Sequence, residues 1–185
     1  EEVDYPLSTE GQSVAYTNYS GDGGVGIGSF FRRLGFALRY SELNLLISNQ
    51  LSDDSKLIME RNVVSRVKKA APFLYTDNDP YLALIEGNLF WIIDMYTVSD
   101  KYPYAQPADT RRINENSGLP LNFNYLRNSV KAVVNAYDGT LNFYVVDETD
   151  PLISTYEDIF PNLFSPKSSM NTELLDHIRY PEDLF

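Results

Sequence analysis

Residues 81–98 read YLALIEGNLFWIIDMYTV, two apolar runs rich in β-branched and aromatic residues. The Gly-Asn pair at 87–88 separates them and is typical of a two-residue turn with a positive φ at glycine. A second such pattern covers residues 130–146, where an Asp-Gly pair at 138–139 stands between two apolar runs. Each pattern predicts a β-hairpin with the glycine-containing pair as its turn.

Residues 29–48 show helical spacing before the first hairpin. Phe30, Phe31, Leu34 and Leu38 recur on one face, and the arginines of this stretch lie off that face. The pattern predicts an amphipathic helix over this range, with the four apolar side chains buried.

Three further helices are predicted. They cover residues 62–71, the stretch after Asp150-Pro151 and residues 172–179. Aspartate is a good N-cap, and proline is favoured at the first helical position. Hairpins with helices before and after them predict an α+β fold, an antiparallel sheet built from two β-hairpins with helices packed on one face.

The composition changes near residue 29. Residues 1–28 are polar, rich in glycine and free of bases, which predicts a flexible lead-in. We expect residues 29–185 to form a single α+β domain. The chain opens at Glu1 without an initiator methionine or a signal-peptide pattern, so we expect a segment of a larger protein. It has no apolar run of the about 18 residues that a membrane span needs.

Charge and cysteine content exclude several classes of function. The net charge is -11, and residues 147–185 hold nine acids against two bases. A nucleic-acid partner is not expected, because the phosphate backbone requires a basic face. The chain has no cysteine, which excludes disulfides, thiolate catalysis and sulfur-ligated metals.

Residues 21–26, GDGGVG, match G-x-G-x-x-G and precede the predicted first helix. Backbone amides there could bind a phosphate with help from Arg32 and Arg33. A dinucleotide site also requires a buried strand before the first glycine and an acid about 20 residues beyond the last. The sequence provides neither, so a mobile glycine-rich loop is the favoured interpretation.

Two further candidates have structural explanations. His177 is the only histidine, which excludes zinc sites built on paired histidines, and it fits the surface of the closing helix. Asp77 and Asp79 could hold calcium through their carboxylates, but the EF-hand spacing is missing. An Asx turn that enters the first strand explains the same two residues.

Asp94 lies within an apolar strand, where a carboxylate is either paired or functional. Arg127 or Lys131, on the neighbouring hairpin, could pair with it.

Residues 99–124 form a long connection that contains Tyr-Pro-Tyr at 102–104. A loop of this length in a small domain is often functional, so a surface role is expected here. The candidate ligand-binding residues are Arg32, Arg33, Asp94, Tyr102 and Tyr104. The sequence supplies no recognisable catalytic set, and we predict no catalytic residues, no cofactor and no metal.

Several longer strings carry a resemblance. They are GSFFRRL at 28–34, FALR at 36–39, LNLL at 43–46, APFL at 71–74, DPY at 79–81, WIID at 91–94, YT at 96–97, SDKYPY at 99–104, NYLRNSVK at 124–131 and RYPEDLF at 179–185. In these strings the chain resembles, from end to end, the uncharacterised bacterial protein family 0182. Members of that family are large membrane proteins with several membrane-spanning helices followed by a long soluble region.

The resemblance implies that the chain is part of that soluble region, at the cell membrane and on its extracytoplasmic face. We expect a non-enzymatic interaction or assembly module, with the membrane-spanning part of the same protein and a protein at the cell envelope as partners. The alternative is a ligand-binding or catalytic domain whose site lies where the glycine-rich segment, the first helix and the Tyr-Pro-Tyr loop meet.

Overall fold

A computed structural model describes residues 2–3, 16–17, 19–21, 23–49, 51–113, 117–181 and 184. Its contacts divide the chain into two units, Glu1–Leu57 and Ile58–Phe185. In the described ranges, no helix has both the length and the apolar character that crossing a membrane demands.

In the part of the first unit that the structure describes, there are four short strands and two helices. They are β1 (Glu2–Val3), β2 (Tyr16–Thr17), β3 (Val25–Gly26), α1 (Phe30–Tyr40), α2 (Asn44–Ile47) and β4 (Lys56–Leu57). β1 pairs with β2 and β3 pairs with β4, both antiparallel. The predicted first helix is therefore two helices, because Ser41 takes a left-handed φ of 56° and ends α1.

Arg33 connects α1 to the rest of the first unit through two hydrogen bonds. Its Nε donates to the carbonyl of Ile27 at 2.7 Å, and its Nη2 donates to the carbonyl of Ser52 at 3.1 Å. Together with the β3–β4 pairing, these bonds hold α1 in the first unit. The domain boundary after residue 28 stays a prediction. The flexibility of residues 1–28 stays a prediction, since much of that stretch lies outside the described residues.

The predicted burial of the apolar face of α1 was wrong. Phe31 is 80% exposed and Leu38 is 73% exposed, Phe30 is also exposed, and Leu34 is only half-buried. Ala37 is the buried residue of the helix instead. Arg33 lies on the inner side of the helix because its guanidinium donates hydrogen bonds to the carbonyls of Ile27 and Ser52. The most apolar face of the helix therefore meets solvent.

The second unit contains six strands and three α-helices among its described residues. They are α3 (Val63–Ala70), β5 (Tyr75–Thr76), β6 (Tyr81–Ile85), β7 (Asn88–Ser99), β8 (Tyr125–Asn135), β9 (Leu141–Val145), α4 (Pro151–Ile159), β10 (Phe164–Pro166) and α5 (Thr172–Asp176). The strands form one sheet in the order β10-β9-β8-β7-β5, with β6 also paired to β7. Both predicted hairpins are present, as β6–β7 and β8–β9, and the predicted α+β class is confirmed.

The two turns differ from those predicted. The first turn is Glu86-Gly87, with φ of 50° and 78°, and Asn88 already belongs to β7. The second hairpin closes through a five-residue loop, 136–140, in which Gly139 has a φ of 75° and its N–H donates to the carbonyl of Asn135 at 2.9 Å. A positive φ at each glycine was predicted correctly. The first loop has the predicted two residues but begins one residue earlier, and the second loop is longer than the two residues predicted.

Two strand pairings were not predicted. The long strands β7 and β8 pair antiparallel, and β10 pairs parallel to β9, so the sheet is mixed. β7 and β8 change register between Met95 and Thr97, where β8 contains a bulge.

Helices pack on both faces of the sheet, whereas the sequence predicted only one covered face. Alternate residues of a strand point to opposite faces. Ile93 of β7 belongs to a core with Val67 of α3 and Ile153 of α4. Its neighbour Ile92 belongs to a second core with Leu174 of α5.

Candidate functional site

The buried carboxylate of Asp150 organises one end of the sheet. Asp150 caps α4 by accepting a hydrogen bond from the N–H of Leu152 at 2.9 Å. The same oxygen, Oδ1, accepts from the hydroxyl of Tyr125 at 2.6 Å. The other oxygen, Oδ2, accepts from the hydroxyls of Thr97 and Ser129. One carboxylate thus joins β7, β8 and the start of α4.

These hydrogen bonds keep Asp150 ionised. Burial by itself raises the pKa of the carboxyl, but the donors Ser129, Thr97, Tyr125 and Leu152 together outweigh it, and the pKa lies below its ordinary value. Tyr125 shifts in the opposite sense, since desolvation and the adjacent Asp150 raise the pKa of its phenol. Tyr125 is therefore a neutral donor to a charged acceptor.

Tyr125 connects this network to the Tyr-Pro-Tyr loop. Its ring stacks on the ring of Tyr102, with 4.4 Å between the centroids and 19° between the planes. Asn124 clamps the same loop residue, because its Oδ1 accepts from the N–H of Tyr102 and its Nδ2 donates to the Tyr102 carbonyl, both at 2.9 Å. Asn124 and Tyr125, at the start of β8, thus connect Tyr102 of the loop to the sheet.

An open pocket lies between this loop and α4. Its volume is about 580 Å³. The lining residues are Ser99, Lys101, Tyr102, Pro103, Tyr104, Pro151, Leu152 and Thr155. Tyr104 is fully exposed and has a φ of 60°, an uncommon conformation for a tyrosine. The loop therefore presents an aromatic ring to solvent beside a concave surface.

Asp94, predicted to be paired or functional, is paired. It forms a buried ion pair with Lys131, directly opposite on β8, and both side chains are 3% exposed. Lys131 Nζ also donates to the carbonyl of Arg179 at 3.1 Å. Burial raises the pKa of Asp94, and the hydrogen bond and charge of Lys131 offset this only in part.

Asp77 and Asp79 form the predicted Asx turn. Oδ1 of Asp77 accepts from the N–H of Asp79 at 2.8 Å, and Oδ2 of Asp77 accepts from the hydroxyl of Tyr96 at 2.6 Å. Asp79 forms an ion pair with Arg179, whose guanidinium also lies 3.9 Å from the centroid of the Tyr81 ring. Among the described residues, no group of three or more acids and histidines is arranged to hold a metal ion.

The structure brings together part of the predicted ligand set. Tyr102 and Tyr104 line one pocket, and Asp94 is not among its lining residues. Arg32 and Arg33 belong to the first unit. There, Arg32 donates to the carbonyl of Gly26 at 3.3 Å and Arg33 bonds to the two carbonyls named above. A single site made from all five residues stays a prediction.

The glycine-rich motif is only partly described, because Asp22 lies outside the described residues. Gly24 has a φ of 94°, and Lys56 donates to the carbonyl of Gly21 at 2.9 Å. His177 follows α5, and its Nδ1 lies 2.8 Å from the carbonyl oxygen of Glu173.

The sequence pointed to Asp150 only as a helix cap. Its other partners, Thr97, Tyr125 and Ser129, come from β7 and β8, whose pairing and bulge were not predicted. The available signal was a polar Thr and Ser within apolar strands. That signal becomes informative only after the register is known.

Comparison with known proteins gives one consistent result. The model of the uncharacterised protein family UPF0182 matches residues 1–185. A UPF0182 protein of Trichodesmium erythraeum is 49% identical over 193 residues, which cover 100% of this chain and 21% of that protein. A UPF0182 protein of Pelotomaculum thermopropionicum is 46% identical over 185 residues, covering 100% of this chain and 19% of that protein.

The chain spans about a fifth of the length of these relatives. No solved structure matches it. The family model covers every residue, and the relatives match with high identity. The chain therefore belongs to the uncharacterised protein family UPF0182.

Proposed function

We propose that the chain is an extracytoplasmic interaction or assembly module of a multi-pass bacterial membrane protein. Its contact surface is the Tyr102–Tyr104 loop and the pocket beside it. The partner is the remainder of the same protein, including its membrane-spanning part. The length of the relatives supports this partner, because this chain corresponds to only about a fifth of each.

The exposure of Tyr104 on a fixed loop is the observation that carries the proposal. Tyrosine is enriched at protein interfaces because it supplies a large contact area with few rotatable bonds. The Tyr102–Tyr125 stack and the Asn124 clamp hold the loop before any partner binds. A pre-formed aromatic surface binds with a smaller loss of conformational entropy.

The fixed network beneath the loop also argues for recognition rather than catalysis. Asp150 is ionised and uses both oxygens to accept hydrogen bonds from Leu152, Tyr125, Thr97 and Ser129. A general base needs a pKa nearer the working pH and a path to a substrate proton. Asp150 has a lowered pKa instead and is fully buried.

A second candidate function is binding of a small ligand in the same pocket. Its volume of about 580 Å³ lies within the range of ligand sites, and Lys101 supplies a cation at its rim. A small ligand would raise the melting temperature of this isolated chain. The assembly role predicts instead that stabilisation requires the rest of the protein.

The side of the membrane on which this chain lies can be tested by labelling a single cysteine in the full-length protein. The chain itself has no cysteine, so Tyr137→Cys, in a background whose other cysteines are replaced, gives one exposed thiol. A membrane-impermeant maleimide should label it in intact cells. Val67→Cys, fully buried, is the matched control and should react only after denaturation. Labelling of the cysteine at 137 only after the membrane is opened would contradict the extracytoplasmic placement.

A further inference from the structure

We infer that α1 is a docking surface for an anionic lipid bilayer. The inference goes beyond the proposed function, and it concerns the first unit rather than the Tyr102–Tyr104 surface. It rests on the exposure, spacing and charge of the residues in this helix.

An apolar stripe that is largely exposed runs along α1. At 100° per residue, Phe30, Phe31, Leu34 and Leu38 fall within an arc of about 100°. The rings of Phe30 and Phe31 pack edge to face, with their centroids 6.0 Å apart. An apolar stripe that its own unit leaves in solvent marks an interaction surface.

The neighbouring helix exposes more apolar area. Leu43, which immediately precedes α2, is 70% exposed, and Ile47, the last residue of α2, is 74% exposed. The first unit thus leaves large apolar side chains uncovered on two consecutive helices.

The charge of this segment differs from that of the chain. α1 contains Arg32, Arg33 and Arg39, and no acid occurs between residues 23 and 41, although the whole chain carries -11. Arg33 donates hydrogen bonds to carbonyls within the first unit, whereas the side chains of Arg32 and Arg39 are exposed. Around the helix axis, these two arginines lie about 80–100° from the edge of the apolar arc. When the apolar stripe enters a bilayer, cations at this angle lie at the level of the lipid headgroups.

The combination favours lipid over a protein partner. Phenylalanine and leucine on one side and arginine beside them are typical of helices that lie in the membrane interface. A net acidic protein gains attraction to an anionic surface only where its bases are segregated, as they are in α1. A second copy of this acidic chain offers no such charge complement.

Flotation of the 185-residue chain with vesicles tests the inference. We expect binding to vesicles of phosphatidylglycerol and phosphatidylcholine in equal amounts, and little binding to phosphatidylcholine alone. Arg39→Gln should weaken binding about fivefold, as expected for one arginine near an anionic surface. Raised salt should weaken it further.

Leu38→Asp should reduce binding about tenfold or more, because a leucine side chain no longer enters the apolar layer. Leu121→Asp is the matched control, since Leu121 is 80% exposed and lies in the second unit. Phe31→Asp repeats the test at a second position on the stripe. Unchanged melting temperatures would show that these variants still fold.

Three results would overturn the inference. They are no binding to either vesicle, equal binding to both, and a self-association that Leu38→Asp abolishes. The last would assign the face to a second copy of the chain. None of them bears on the Tyr102–Tyr104 surface, so the two proposals fail separately.

Discussion

Tyr125 donates its phenolic hydrogen to Oδ1 of Asp150, with 2.6 Å between the two oxygens. The acceptor is a buried carboxylate, and the ring of the donor stacks on Tyr102 in the exposed loop. The pair therefore links the core of the second unit to its proposed contact surface. Loss of this hydrogen bond should lower stability, and loss of the Tyr125 ring should also release the loop.

Tyr125→Phe should remove the hydrogen bond and keep the stack. We expect a loss of about 1–3 kcal/mol in the free energy of unfolding, because a buried charged acceptor loses one of its donors. Urea titration followed by circular dichroism measures it. Tyr125→Ala should also release Tyr102, which would appear as faster proteolysis within residues 99–124. Equal proteolysis of the Phe and Ala variants would contradict the stacking argument.

Asp150→Asn should destabilise the chain at neutral pH and have a smaller effect in acid. The pKa of Asp150 in the folded state lies below its ordinary value of 3.8. Its contribution to stability is therefore complete above that value and is lost as the pH falls through the folded pKa. Unfolding titrations from pH 7 down to pH 2 should show the two proteins converge only below about pH 4. Convergence already near pH 6 would mean that the folded pKa is raised.

Lys131→Met should leave Asp94 as an unpaired buried acid. We expect a loss of about 3–5 kcal/mol, the usual cost of removing one partner of a buried ion pair. Adding Asp94→Leu should recover most of this, because no buried charge then remains. The single variant should also gain relative stability as the pH falls, because burial raises the pKa of Asp94 and protonation removes the charge. A double variant as unstable as the single one would argue against this explanation.

Two glycine substitutions should have opposite signs. A Cβ at Gly35, within α1, meets no described heavy atom within 4 Å, so Gly35→Ala should stabilise by about 0.5–1 kcal/mol. A Cβ at Gly118 would lie 1.7 Å from the carbonyl oxygen of Thr76, so Gly118→Ala must displace backbone. Thermal melts of the two variants compare them directly. Stabilisation by both would show that the 117–119 loop adjusts freely.

The local signals in the sequence predicted local structure well. Asp150-Pro151 predicted the start of α4, and the glycines at 87 and 139 predicted the two hairpins. These predictions succeeded because helix capping and a positive φ depend on a few neighbouring residues. Pairing of β7 with β8 joins strands separated by the long 100–124 connection, and no local pattern encodes it. The Asp150 network depends on that pairing and was missed for the same reason.

The error at α1 has a different cause. Its apolar stripe was expected to be buried because exposed apolar area is unfavourable in water. That argument assumes that the chain supplies its own cover. A face that docks on a lipid bilayer, as inferred for α1, is left uncovered by the chain itself.

Crosslinking from the exposed tyrosine tests the central proposal most directly. In the full-length protein, a photoreactive phenylalanine analogue replaces Tyr104 in one sample and Tyr137, an exposed tyrosine in the β8–β9 loop, in the other. We expect position 104, and not position 137, to crosslink to peptides of the same protein from outside the region that corresponds to residues 1–185. Absence of such a crosslink from position 104, or equal crosslinking from both positions, would contradict the assembly role of the Tyr102–Tyr104 surface.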